Sequence, residues 1–115
     1  MSQHTVRPVP AHEPPYYTVV FTSVLTEDTE GYTETAAHLE ELVREIPGFL
    51  GYEHAADPGG LGITVAYFRD EESIAVWRQN LEHRAAQRTG IKRWYERYSL
   101  HVGCVERSHS FERKR

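Results

Sequence analysis

Two interruptions decide most of what this chain can fold into. At Pro47-Gly48 a helix has to stop, because proline fits poorly inside a helix and glycine accepts the left-handed turn beyond its end. Further on, Asp57-Pro58-Gly59-Gly60 supplies turn dihedrals between Phe49 to Ala56 and Leu61 to Phe68, so these two runs read as an antiparallel hairpin. A hairpin entered from a helix leaves the rest of the chain to be divided around it.

Upstream, Tyr16 to Leu25 is rich in aromatic and β-branched residues, the mixture that suits a strand covered on both faces. Tyr32, Ala36, Leu39, Val43 and Ile46 then recur at the spacing of one helical stripe, with Asp28 or Thr29 as its cap. Downstream, Asp70 caps a second helix with Glu71 and Glu72 in its first turn and Ile74, Trp77 and Leu81 on one face. Glu82 to Gly90 continues or re-enters helix, Gly90 ends it, and Trp94 and Tyr95 lead into a last strand from Tyr98 to Val105. The order βαββαβ predicts an α+β domain, with one four-stranded antiparallel sheet and both helices on a single face, the ferredoxin-like arrangement. Tyr, Phe and Val fall on both alternation phases of the first strand, so the face away from the helices needs a cover. A second copy of the chain is the simplest one.

The 115 residues, 39% hydrophobic and 26% charged, suit one globular domain at residues 16–106, between an extended proline-bearing arm at 1–15 and a basic tail at 107–115. A domain this short leaves much of its surface uncovered, which again favours a homodimer. The net charge of −4 gives no field to gather nucleic acid or an anionic membrane, and neither is an expected partner. Cys104 is the single cysteine, and in the alternation Leu100, Val102, Cys104 it reads as a buried, inert thiol. With no intrachain disulfide to form, a reducing, cytoplasmic setting is expected. No apolar run reaches the length of a membrane span.

Pro47-Gly48-Phe49-Leu50-Gly51, the hairpin end Gly62-Ile63-Thr64-Val65-Ala66-Tyr67-Phe68, and the stretch from Ser73 through Trp77, His83 and Gln87 to Trp94-Tyr95 resemble the antibiotic biosynthesis monooxygenase family. The likeness covers Tyr16 to Glu106. It implies a dimeric α/β barrel in which two four-stranded sheets pack together, with a cavity between each sheet and its own helices. It also implies a range of activities: cofactor-independent oxidation of polycyclic phenols, heme degradation, or isomerisation of small signalling molecules. The fold alone does not choose among them.

Trp77 offers a flat indole wall for an aromatic ligand and one N–H donor. The resemblance implies a cavity-lining tryptophan here, and packing beside Ile74 and Leu81 is the alternative. His83 carries an imidazole that titrates near neutrality and suits removal of a phenolic proton. The oxygenases of aromatic polyketides that the chain resembles carry a tyrosine at this place, and a plain helix-terminal histidine is the other reading. Asn80 is a candidate to orient a substrate carbonyl, and Arg97 to stabilise an enolate or phenolate unless it pairs with Glu53 or Glu96. Tyr17, Tyr52, Tyr67 and Gln87 are candidates to bind the ligand. Gln87 stands where the resemblance implies an iron-binding histidine in heme-degrading relatives, and Thr22 and Ser23 stand where those relatives carry an asparagine. An amide is a poor ligand for heme iron, so heme degradation is the minor reading.

The remaining histidines show no metal-ligand spacing, and no glycine-rich loop opens a helix after a strand. Neither a metal nor another cofactor is expected. The expected function is a cofactor-independent monooxygenase that deprotonates a small aromatic or polyketide-like phenol or enol and lets it reduce O2 directly. The alternative is a small-ligand-binding or stress-associated dimer without turnover.

Overall fold

In the computed structural model, which describes residues 7–114, eight elements follow one another. They are β1 (Tyr16–Leu25), α1 (Tyr32–Val43), β2 (Phe49–Ala56), β3 (Leu61–Phe68), α2 (Glu71–Gln79), α3 (Leu81–Thr89), a π-helical turn (Gly90–Trp94) and β4 (Tyr95–Val105). The first six residues of the expected arm and the last residue of the expected tail lie outside the described residues. The strands form one antiparallel sheet in the order β2-β3-β1-β4, so each half of the βαββαβ order contributes one central and one edge strand. The fold is ferredoxin-like α+β, as the order of signals predicts.

Register separates the two faces of the sheet. Val19 lies opposite Ala66 and Val102, and Phe21 opposite Thr64 and Leu100. With Tyr52 opposite Ala66, these residues form the face beneath the helices. Thr18, Val20, Val65 and Tyr67 fall on the other phase. Irregularities at Leu50 in β2 and Glu96 in β4 each insert one residue and reset the phase locally.

Among the described residues, four hydrophobic side chains are buried: Tyr16, Val43, Phe68 and Trp94. Phe68 is the largest that is wholly enclosed, and it meets Phe49 edge to face at 5.7 Å. So sparse a solid core in a domain with this many aromatics means that much of the space between helices and sheet is hollow.

Gly48 holds the first of the two interruptions at φ 92, and a methyl there would overlap the Ser73 hydroxyl. That hydroxyl lies 2.7 Å from both the Pro47 carbonyl and the Asp70 carboxylate, which joins the end of α1 to the start of α2. Asp70 also accepts the Ser73 backbone N–H at 2.8 Å, the cap expected of it.

Several local expectations need correction. Neither Asp28 nor Thr29 caps α1, which opens from Gly31 at φ 83 without a side-chain cap. Asp28 instead accepts two hydrogen bonds of 3.2 Å from Arg93, drawing the β1–α1 loop onto the π-helical turn. The second helix is broken at Asn80, so Leu81 belongs to α3 and is 77% exposed rather than sharing the Trp77 stripe. Gly90 does not end a helix; it is buried at φ −60 and continues into the π-helical turn. The last strand consequently starts at Tyr95. Cys104 is exposed rather than buried, because β4 is an edge strand.

The described part of the arm crosses the outer face of the sheet. Val9 sits on Gly51, its backbone N–H donates to Glu53 at 2.7 Å, and His12 meets Tyr16 edge to face at 5.7 Å. The tail accompanies it, with Ser108 donating to the His12 carbonyl at 3.2 Å and Arg7 pairing with Glu112.

Candidate functional site

A cavity of about 370 Å³ lies between the sheet and the helices, within the range of small-molecule sites. Its floor is the inner face of the sheet, including Val19, Phe21, Tyr52, Ala66 and Leu100. The stripe of α1 predicted from periodicity, Tyr32, Ala36, Leu39 and Val43, forms one wall. Ile74, Trp77 and Arg78 of α2 and His83, Ala86 and Gln87 of α3 form the other. Ile91, Trp94 and Tyr95 close one end, where Trp94 donates its indole N–H to the Glu30 carbonyl at 3.0 Å and Thr26 donates its backbone N–H to the Trp94 carbonyl at 2.7 Å.

The break at Asn80 shapes the centre of that wall. The Asn80 side-chain carbonyl accepts the His83 backbone N–H at 2.9 Å and so caps α3. The Trp77 carbonyl accepts both the Asn80 backbone N–H at 3.1 Å and the His83 Nδ1–H at 3.1 Å. The turn brings the two rings face to face, with centroids 4.3 Å apart and planes 12° from parallel. A carbonyl can only accept, so the bond to Trp77 fixes the ring hydrogen on Nδ1 and leaves the lone pair on Nε2. Burial lowers the His83 pKa, opposed by the bond to Trp77, so the imidazole is neutral at neutral pH. The result is a neutral base with a fixed tautomer on the cavity wall.

The tyrosines behave differently. Burial, and then the neighbouring Tyr32 hydroxyl, raises the pKa of Tyr95, and burial likewise raises those of Tyr32 and Tyr52. They remain protonated, available as hydrogen-bond donors and as aromatic surface. Phe21, Tyr95 and Tyr98 form a mutual cluster with centroids 5.3 to 5.7 Å apart.

Of the residues singled out in the sequence, Trp77, His83, Gln87 and Tyr52 line the cavity together. Asn80 lies between them but its carbonyl is engaged in capping. Arg97 is not in the cavity; it borders a small recess with Thr22, Ser23 and Val24, and makes no ion pair with Glu53 or Glu96. Tyr67 is on the outer face, donating to Glu53 at 2.9 Å; burial and that carboxylate push its pKa up to about 12. Tyr17 shares the inner phase but lies past the end of the cavity, against Cys104, whose sulfur is the largest influence raising its pKa. Sequence reasoning missed Tyr32, Tyr95, Tyr98 and Arg78 as lining residues. Tyr32 heads the α1 stripe and Arg78 follows Ile74 by one helical turn, so helical spacing alone could have found both. Among the described residues, no group of three or more His, Cys, Asp or Glu side chains comes together to hold a metal, and no helix is long and apolar enough to cross a membrane.

Comparison with known proteins gives this geometry a family. The chain is 44% identical over 100 residues to the uncharacterized protein YqjZ of Bacillus subtilis, covering 87% of this chain and 88% of that one. It is 32% identical over 80 residues to jasmonate monooxygenase ABM of Pyricularia oryzae, covering 67% of this chain but 37% of that protein. Its fold is similar to that of a dimeric ferredoxin-like protein of unknown function from Thermobifida fusca, with a TM-score of 0.65 at 15% identity over 83% of this chain and 95% of the other. Residues 15–89 match the family model for antibiotic biosynthesis monooxygenase. The chain belongs to the antibiotic biosynthesis monooxygenase family.

Proposed function

We propose that the chain is a cofactor-independent monooxygenase that oxidises a small aromatic or polyketide-like phenol or enol with O2. The observation that carries this reading is the His83 ring, stacked on Trp77 with its hydrogen held on Nδ1 and its free lone pair on the wall of an aromatic cavity. Nε2 takes the substrate O–H proton, and the resulting anion adds through a ring carbon to O2, forming a C–O bond. The peroxide takes that proton back. Loss of the ring C–H proton with O–O cleavage then yields a quinone and water, so the substrate supplies all four electrons that O2 takes up. The largely apolar lining limits hydration of the anion, and the aromatic walls hold the ring in place.

The test is O2 consumption by chelator-treated protein with an electron-rich dihydroxynaphthalene. Uptake depends on both protein and substrate, and His83→Ala lowers the rate by about 10²- to 10⁴-fold. A variant that keeps the full rate sinks the mechanism. The family and the distant relationship to a monooxygenase of Pyricularia oryzae support the same reaction class.

A second reading is favoured by the positions of Asn80 and Arg97, since neither aims a free donor at a developing oxyanion. It makes the chain a small-ligand-binding dimer without turnover. Tight binding of an unchanged ligand, with no O2 uptake, selects it.

In either case we propose a homodimer formed through the outer face of the sheet. Val20 and Val65 are half-buried there and Ile63 is 43% exposed, an apolar surface that the described arm leaves open beyond Gly51 and Tyr67. The dimeric state of the similar protein from Thermobifida fusca agrees with this. A cytoplasmic location suits a single free cysteine.

A further inference from the structure

Helix α2 turns Ile74, Trp77 and Arg78 toward the cavity, the i, i+3 and i+4 positions of one stripe. Over a closed core the last of these would be apolar. Arg78 is exposed and also lines the cavity, which places this residue where the cavity meets solvent. The other charged side chain of the lining, Glu40, is already matched by Arg44 at 2.7 Å. His83 is neutral, and the half-buried tyrosines Tyr32, Tyr52 and Tyr95 keep their protons. Among the described residues, ion pairs engage Arg7, His38, Arg44 and Arg93, and Arg78 takes part in none of them. The mouth of an otherwise largely apolar cavity therefore carries one positive charge without a counter-ion.

We propose that Arg78 recognises a carboxylate, and that the ligand of this cavity is a small molecule with an apolar ring body and one carboxylate group. This rests on the cavity being the ligand site. The ring body lies among Phe21, Tyr32, Trp77 and Tyr95, while the carboxylate stays at the mouth on the guanidinium fork. Arginine suits that task because its planar donors match a carboxylate in pairs and it stays charged at any working pH. The exposed position matters equally. A carboxylate held there keeps part of its hydration, so the pair does not incur the desolvation cost of a buried salt bridge.

The test is calorimetric titration of the full chain with 2-naphthoate and its neutral isostere 2-naphthamide. Wild type binds the carboxylate about tenfold more tightly than the amide, the ratio expected of a charge-assisted hydrogen bond. Arg78→Gln abolishes the preference, chiefly by weakening the carboxylate, and amide binding that stays within a few-fold of wild type reports an intact cavity. Arg78→Lys keeps part of the preference. Arg88→Gln, an exposed change outside the lining, keeps all of it. Equal binding of the two probes by wild type, a preference that survives Arg78→Gln, or failure of 2-naphthoate to bind at millimolar concentration overturns the assignment. Because the readout is binding, a chain that consumes no O2 can still show the carboxylate preference. Conversely, an active oxygenase without that preference refutes Arg78 alone.

Discussion

Gly90→Ala offers a sharp test of how the cavity is closed. The glycine has ordinary right-handed dihedrals, φ −60 and ψ −44, so its backbone has no need of glycine, and alanine would normally gain up to about 1 kcal/mol of helix propensity. The place of the missing methyl is taken by the Tyr95 ring. A Cβ at Gly90 would overlap Tyr95 Cε2 and come within 2.8 Å of Cδ2. The ring is flanked by Phe21, Tyr98 and Tyr32 at centroid distances of 5.4, 5.7 and 6.2 Å, so it can give way only toward the cavity it lines, at the expense of those contacts. Overpacking of this kind costs about 1–3 kcal/mol, and a ring confined by three neighbours belongs at the upper end. The net loss is about 1–2 kcal/mol, roughly 4–12 °C in Tm for a domain of this size. Thermal and urea denaturation of Gly90→Ala, Tyr95→Ala and the double variant form a cycle that isolates the contact. Once Tyr95 is truncated, Gly90→Ala becomes neutral or stabilising. The same loss in both backgrounds would refute the reasoning and return Gly90 to the role of a helix stop.

Three further outcomes follow from the same structure. Burial lowers the His83 pKa, so the unfolded chain binds a proton first as pH falls; the contribution is complete above the ordinary histidine value of 6.5 and declines below it. Wild type should then lose stability more steeply than His83→Gln between about pH 7 and pH 5.5, and parallel denaturation curves would contradict this. Tyr67→Phe removes the hydroxyl donated to Glu53 and costs about 0.5–1.5 kcal/mol. It leaves naphthoate affinity unchanged because Tyr67 lies on the far face, whereas Trp77→Ala weakens binding; calorimetry on both variants checks the pair. Leu81→Glu changes stability by less than about 0.5 kcal/mol, since its side chain is 77% exposed, and a loss of several °C in Tm would show that it packs.

The hairpin and the first strand carry their bounds in the sequence because turn chemistry and period-two alternation are local properties. Phe49–Ala56 and Leu61–Phe68 are legible for that reason. Which residues face the cavity is a property of register, and the sequence does not carry it for Tyr67 or Arg97. The residue inserted at Glu96 puts Arg97 on the opposite phase from Tyr95, while Tyr67 lies on an uninterrupted strand with apolar residues on both phases, so alternation alone does not tell which phase faces the helices. Asn80 was misread for a different reason. Composition stays helical from Glu71 to Thr89, and an asparagine in mid-run serves equally as a solvent-facing residue or as a fresh N-cap. Counting the stripe across that break placed Leu81 beside Trp77. Gly90 was similarly ambiguous, since a helix stop and a close approach both call for glycine, and only the position of the Tyr95 ring separates them.

The two-piece wall made by α2 and α3 has a consequence for how this cavity varies in size. Each piece is only 9 residues long and has its own side-chain cap, Asp70 for one and Asn80 for the other. Neither depends on a helical hydrogen-bond ladder running through the joint. The wall is two panels meeting at Asn80; a change in the angle between them need not unwind either helix, but it has to break the bond from His83 to the Trp77 carbonyl and the stacking of the two rings. Capacity is then governed by the joint as much as by the bulk of the lining side chains. Redesign for a larger ligand would gain more from altering the residues around Asn80 than from trimming Ala86 or Ile74, and the stacked Trp77–His83 pair, which spans the joint, would report any opening through its fluorescence.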